Sequence, residues 1–194
     1  MIALDSATPR LVTERLVLRE LTLEDAEAVA ARAGDRRVAR YLIAVPTPYP
    51  VALALRWITA RVAWWSQGRG VTLAIATREA PEELLGSVSL RRFTRDRRAE
   101  LGYWLGASAW SAGYATEAAG ALVDFGFREL GLARIYAHVL EGNAASCRVL
   151  EKLGMVSEGI RRQHVRKGRK LVDIVLYGML RDEWLARARE RDSV

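Results

Sequence analysis

The chain has 194 residues, 51% of them hydrophobic and 27% charged, and its 30 Lys and Arg exceed its 23 Asp and Glu to give a net charge of +7. That length predicts one domain with a sizeable core. The apolar fraction excludes an intrinsically disordered chain, and no apolar run approaches the roughly 20 residues of a membrane span. The lone cysteine, Cys147, excludes an intramolecular disulfide and a cysteine-built zinc cage, so no metal is expected; with no basic-then-apolar start, the expectation is a cytoplasmic protein.

In chain order, within Arg15 to Leu21, Leu16 and Leu18 alternate with Arg15, Val17 and Arg19, which predicts a half-buried strand. Thr22 stands as a helix cap with Asp25 three residues on, and the helix through Ala26, Val29 and Ala30 stops near Gly34. Pro46, Pro48 and Pro50 punctuate a loop. Ala52 to Gln67 then carries Leu55, Ile58, Val62 and Trp65 at helical spacing. Strands are predicted at Val71 to Thr77, Leu84 to Phe93 and Ala99 to Leu105, joined by short turns that favour antiparallel pairing. A helix from Thr116 to Leu130, a strand from Ile135 to Leu140 and a helix from Asn143 to Leu153 follow. Strands at Met155 to Arg166 and Leu171 to Leu180 close the pattern. The order β-α-α-β-β-β-α-β-α-β-β predicts a mixed, mostly antiparallel α/β sheet flanked by helices, in a single domain.

The basic excess rests on arginine, since the lysines are Lys152, Lys167 and Lys170. The arginines are scattered, and the densest clusters hold few aromatic residues for base stacking, which argues against a nucleic-acid partner.

The most informative segment is Ala109-Trp110-Ser111-Ala112-Gly113-Tyr114-Ala115-Thr116-Glu117, between a strand and a long helix. Helix starts leave backbone amides unpaired and carry partial positive charge, and small residues let a phosphate come close. Ser111, Ala112, Gly113, Tyr114, Ala115 and Thr116 therefore form a candidate pyrophosphate cradle, although a plain strand–turn–helix junction has the same look. The segment is neither a P-loop nor a dinucleotide fingerprint, lacking Gly-Lys-Ser/Thr and G-x-G-x-x-G.

Several motifs, taken together, resemble the RimJ/RimL-like, ribosomal-protein N-terminal acetyltransferase branch of the GNAT superfamily. They are Thr13 to Arg19, Glu100-Leu101-Gly102-Tyr103-Trp104-Leu105, Trp110 to Ala118, Asn143-Ala144-Ala145-Ser146, Leu150 to Met155 and Glu158-Gly159. The likeness runs from about residue 13 to 184, in the order of that fold. It implies transfer of an acetyl group from acetyl-CoA, as co-substrate, to an amine, with a dimer common among similar proteins. The family's pyrophosphate loop falls on Trp110 to Ala115, where Gly113 and Ala115 match. Trp110 replaces Gln or Arg, Ser111 stands where glycine is usual, and Ala112 where a long polar residue is common. The strand end at Trp104 and Leu105 would pair with the pantetheine arm, Asn143 would reach it from the next helix, and Arg148 would meet the 3′-phosphate.

The attacking amine must be neutral. A peptide α-amine, with a pKa of about 7.7–8.0, meets that far more readily than a lysine at about 10.4. Glu100 is the candidate base, with pairing to a nearby arginine as the plain alternative. Many superfamily members reprotonate the departing thiolate with a tyrosine seven residues after the asparagine; that position here is Leu150. Ser146, one turn beyond Asn143, matches the serine of the RimL-like branch, whereas the glutamate base given to that branch aligns near Val165 and is missing. His138 and His164 are further base candidates, Cys147 reads as filler, and Trp57, Trp64 and Trp65 as core. The expected acceptor is a protein or peptide N-terminal α-amine. A small amine such as an antibiotic or polyamine, a longer acyl donor such as succinyl-CoA, and a non-catalytic acyl-CoA-binding module stay open as alternatives.

Overall fold

The computed structural model describes residues 7–192. Strands β1 (Leu11–Val12), β2 (Leu16–Glu20), β3 (Gly70–Thr77), β4 (Gly86–Arg91), β5 (Arg98–Leu105), β6 (Arg134–Leu140), β7 (Val156–Lys167) and β8 (Lys170–Leu180) form one sheet. Its order is β1-β2-β3-β4-β5-β6-β8-β7. Helices are α1 (Ala26–Gly34), α2 (Arg36–Ala39), α3 (Val51–Ser66), α4 (Tyr114–Arg128), α5 (Ala144–Leu153) and α6 (Arg181–Asp192). The other pairings are antiparallel, joined by short connections at β1–β2, β3–β4, β4–β5 and β7–β8, while β5 and β6 are parallel because α4 crosses over between them.

That parallel junction positions the site. Pairing runs from Arg98↔Arg134 to Leu101↔Ala137 and stops, although β5 continues to Leu105 and β6 to Leu140. The strands part there and leave a wedge through the sheet. Both α4 and α5 begin just beyond the parting ends, so their N-termini sit at the open end of the wedge.

Apolar clusters cover both faces of the sheet. On one, Ala118, Leu122, Val123 and Phe127 of α4 pack on Leu73, Leu90 and Ile135. Phe127 is fully buried, which contributes roughly 2–3 kcal/mol. On the other, Val29 of α1 and Ala54 and Ile58 of α3 pack with Ala74 and Leu84. Covering both faces buries Val17 as well as Leu16 and Leu18, so β2 is not the half-buried strand that alternation predicts.

The predicted elements are present within a few residues, with three additions. The two-residue β1 is too short to show a period, and α2 is a single turn capped by Asp35, whose side chain accepts from the Arg37 amide. In α6 the run Arg181–Asp192 is mostly charged and docks through Trp184, which stacks on Phe127 at 5.4 Å and donates to Asp124 at 2.5 Å. Among the described residues no helix is long and apolar enough to cross a membrane, and no cluster of three His, Cys, Asp or Glu could hold a metal ion.

Candidate active site

The cradle segment starts where β5 ends. After a 3-10 turn at Ala107–Ala109 the chain enters α4 at Tyr114, with Gly113 as N-cap at φ +82°. Thr116 is therefore the third residue of the helix rather than its first, which corrects the predicted helix start. The reason is Gly113, whose left-handed conformation lets the helix begin two residues earlier. The first bond into the cap is Glu117 N–H to the Gly113 carbonyl at 3.1 Å, so the amides of Tyr114, Ala115 and Thr116 precede any intrahelical acceptor. Ser111, Ala112 and Gly113 are exposed, and Ser111 has φ +63°, which accounts for glycine being usual there.

Trp110 does not leave a gap where a polar side chain is common. Its indole N–H donates to the Leu105 carbonyl at 2.9 Å and ties the end of β5 to the cradle. Arg15, read from sequence only as a strand residue, bonds the Ala112 carbonyl at 2.9 Å, pairs with Glu117 at 2.6 Å and lies over the Tyr114 ring. Glu117 also accepts from the Thr13 hydroxyl at 2.6 Å and the Arg15 amide at 2.9 Å. Burial alone would raise its carboxyl, but these donors hold it below the usual range. The start of α4 is thus braced from the other end of the sequence.

From the wedge a cleft of about 240 Å³ opens across the sheet. On one side Asn143, Ser146 and Leu150 line it from α5, at the spacing that places them on one helix face. Asn143 caps that helix by accepting from the Ser146 amide at 3.2 Å. Tyr103, from β5, reaches across: its phenol lies 2.8 Å from Ser146 Oγ and 3.1 Å from the Ser146 carbonyl. Burial pushes that phenol up, so it stays protonated and serves as a donor. Sequence reasoning places no role on Tyr103, because nothing local connects it to Ser146. On the opposite side the cleft is lined by Tyr41 to Val45, Tyr49, Trp57 and Arg61. Lys167 of β7 holds this lip, donating to the Ala39 and Leu42 carbonyls.

Glu100 is buried at 2% exposure and sits behind the cleft wall rather than on it. His138 lines the cleft, with its Nδ1 3.5 Å from Glu100 Oε1; Arg91 and Arg92 approach the same carboxylate at 2.7 and 2.9 Å. Burial would raise Glu100, but His138 and the two arginines hold it low, so it keeps its charge. The predicted base is therefore anchored, with pairing to arginines as the plain alternative had it. Trp104 lines the cleft and packs on the α1–α3 cluster, and Leu105 is buried. Arg148 is exposed on α5 and does not line the cleft, while His164 lies exposed on β7. Trp65 is core, as expected, whereas Trp64 lies beneath the Arg61 guanidinium.

Residues 15–156 match the family model described as an acetyltransferase (GNAT) domain. The uncharacterized N-acetyltransferase YoaA of Bacillus subtilis is 34% identical over 174 residues, covering 89% of this chain and 97% of that protein. A GNAT-family acetyltransferase from Bacillus anthracis superposes with a TM-score of 0.80 at 25% identity, over 90% of this chain and 100% of that one. In fold the chain also resembles Mycobacterium smegmatis RimJ, solved in complex with CoA-disulfide, with a TM-score of 0.77 at 23% identity over 90% of each chain.

Proposed function

Because this chain belongs to the GNAT acetyltransferase family, and so is an acetyltransferase that uses acetyl-CoA, we propose that its acceptor is a protein or peptide N-terminal α-amine. One observation carries the choice of acceptor. Among the described residues lining the cleft there is no carboxylate, and the base within reach is His138 backed by Glu100. An imidazole is a mild base. It suffices for an α-amine, which is about a quarter neutral near pH 7.4, but not for a lysine, neutral in about one molecule per thousand.

The donor thioester supplies an activated acetyl group. Tyr114, Ala115 and Thr116 would hold the pyrophosphate by main-chain amides, with Ser111, Ala112 and Gly113 leaving room for it; the exposed, glycine-capped helix start fits such a group. The parted edge of β5 at Trp104 and Leu105 would take the pantetheine arm, with Asn143 opposite, and exposed Arg148 would serve the 3′-phosphate. His138 accepts the proton of the attacking amine, and Glu100 stabilises the resulting imidazolium. As the carbon–sulfur bond breaks, Ser146 donates to the departing sulfur and Tyr103 in turn supports Ser146.

The test is release of CoA thiol from acetyl-CoA in the presence of N-terminal peptides, lysine-containing peptides with blocked termini, polyamines and aminoglycosides. Turnover with free-amino-terminus peptides is expected. Turnover confined to polyamines or aminoglycosides sinks the assignment.

A further inference from the structure

The acceptor side of the cleft carries positive charge that no cleft carboxylate answers. Arg61 projects from α3 over the Trp64 ring, 3.7 Å from its centroid, and lines the cleft. Among the described residues it has no carboxylate partner; the titratable groups acting on it are Arg91, the Tyr49 phenol and Arg69. Burial first, and then Arg91, push the guanidinium down to about 10, so it remains charged at neutral pH while carrying an uncompensated desolvation cost.

Facing it, Arg91 gives one terminal nitrogen to Glu100 at 2.7 Å, yet its Nε is buried without a partner. Thr72 is 5% exposed and lines the same cleft, and its hydroxyl is also buried without a partner. Register explains the grouping, since Thr72 pairs with Ser89 and Ser89 with Gly102 across three strands. Gly102 keeps the floor open: a Cβ there would lie 3.2 Å from Ser89 Oγ and 3.6 Å from Arg91 Nε. The two buried donors without a protein partner belong to residues that line the same cleft as a guanidinium without a carboxylate, and an oxyanion is the group that complements donors of this kind.

We propose that Arg61, Arg91 and Thr72 form a carboxylate subsite, so that the acceptor is an amine bearing a carboxylate close to its nitrogen. Resting on the acetyltransferase reading above, this narrows the acceptor. The carboxylate comes either from an acidic side chain at the first or second position of a peptide or from the α-carboxylate of a free amino acid.

The experiment uses the full chain and acetyl-CoA. Acceptors are peptides identical except for Glu, Gln or Lys at position two, together with free glutamate and its diamide. The wild-type protein is expected to favour the Glu over the Gln peptide by about tenfold in kcat/KM, the worth of one charge-assisted hydrogen bond. In Arg61→Met that ratio falls toward one, and in Arg61→Lys most of it returns; the Lys variant keeps the test alive should loss of the Trp64 stack unfold the Met variant. Preference for free glutamate over its diamide, without a peptide preference, supports the amino-acid source. Calorimetric binding of the same acceptors to the acetyl-CoA complex separates the two levels of the argument. Charge-selective binding without turnover leaves the subsite standing and removes the N-terminal transfer reading. Turnover with equal ratios in wild type and Arg61→Met overturns the subsite alone. So does an Arg61→Met defect confined to succinyl-CoA as donor, which would place the carboxylate on the acyl group instead.

Discussion

Ser146 and Tyr103 stand 43 positions apart in the chain and 2.8 Å apart at their oxygens. Each has a separate reason to be there: helical spacing from Asn143 turns Ser146 into the cleft, and the parting of β5 from β6 frees Tyr103 to reach it. In the proposed mechanism this hydroxyl, held by a phenol that stays protonated, is the donor to the departing sulfur. Ser146→Ala is therefore expected to lower kcat by about 10²-fold with acetyl-CoA affinity close to unchanged, measured by steady-state kinetics and calorimetry. An unaltered kcat removes Ser146 from the mechanism. The serine was legible in the sequence from its spacing and its likeness to a family motif. Tyr103 was not, because its significance is a contact between a strand and a helix from distant parts of the chain. Glu100 was legible as a residue of interest, but its neighbours Arg91, Arg92 and His138 are set by strand register, and so its standing behind the cleft was not.

At the level of the element, the start of α4 shows how one backbone conformation decides a site. Gly113 at φ +82° begins the helix, and a β-branched residue is strongly disfavoured there. Gly113→Val is expected to reduce CoA binding below detection by calorimetry, whereas Ala112→Gly retains it, because main-chain donors do not depend on that side chain. Indifference to Gly113→Val would refute the cradle. The helix itself was readable from its apolar period. Its first residue was not, because the small residues ahead of Thr116 carry no apolar period, and only the dihedral angle shows that Gly113 already caps the helix. Helix α6 escaped for a related reason: a run with so few apolar residues has no amphipathic signal, and Trp184 becomes meaningful only once Phe127 is beneath it.

For the whole molecule, the decisive link is between the amino-terminal strand segment and α4. Thr13, Arg15 and the buried side of Glu117 close a circuit across 104 positions, with Glu117 side-chain exposure of 17%. Glu117→Ala is expected to cost about 2 kcal/mol at pH 7 by removing the charged acceptor that the Thr13 hydroxyl and the Arg15 amide share. That corresponds to roughly 4–8 °C in Tm for a chain of this size. The folded carboxyl titrates below its unfolded value near about 4.3, so its contribution is present above that pH and is lost as pH falls through the lower folded value. The gap between wild type and variant should accordingly narrow in thermal melts taken from pH 7 down to pH 3. A constant gap across that range would assign Glu117 to packing rather than to charge.

Taken alone, the amino-acid order determined where the longer amphipathic helices and most strands run, the mixed sheet, the small-residue turn ahead of α4 and the serine on α5. Those properties depend on neighbours within a turn or two, where periodicity and capping act. Only the folded molecule decided that β5 and β6 separate after Leu101, that His138 rather than Glu100 meets the cleft, and that Arg61 lines the same cleft as Arg91 with no carboxylate partner among the described residues. Each of these is a matter of register and burial between segments far apart in sequence, and a charge or a hydroxyl acquires its chemistry from what is packed against it.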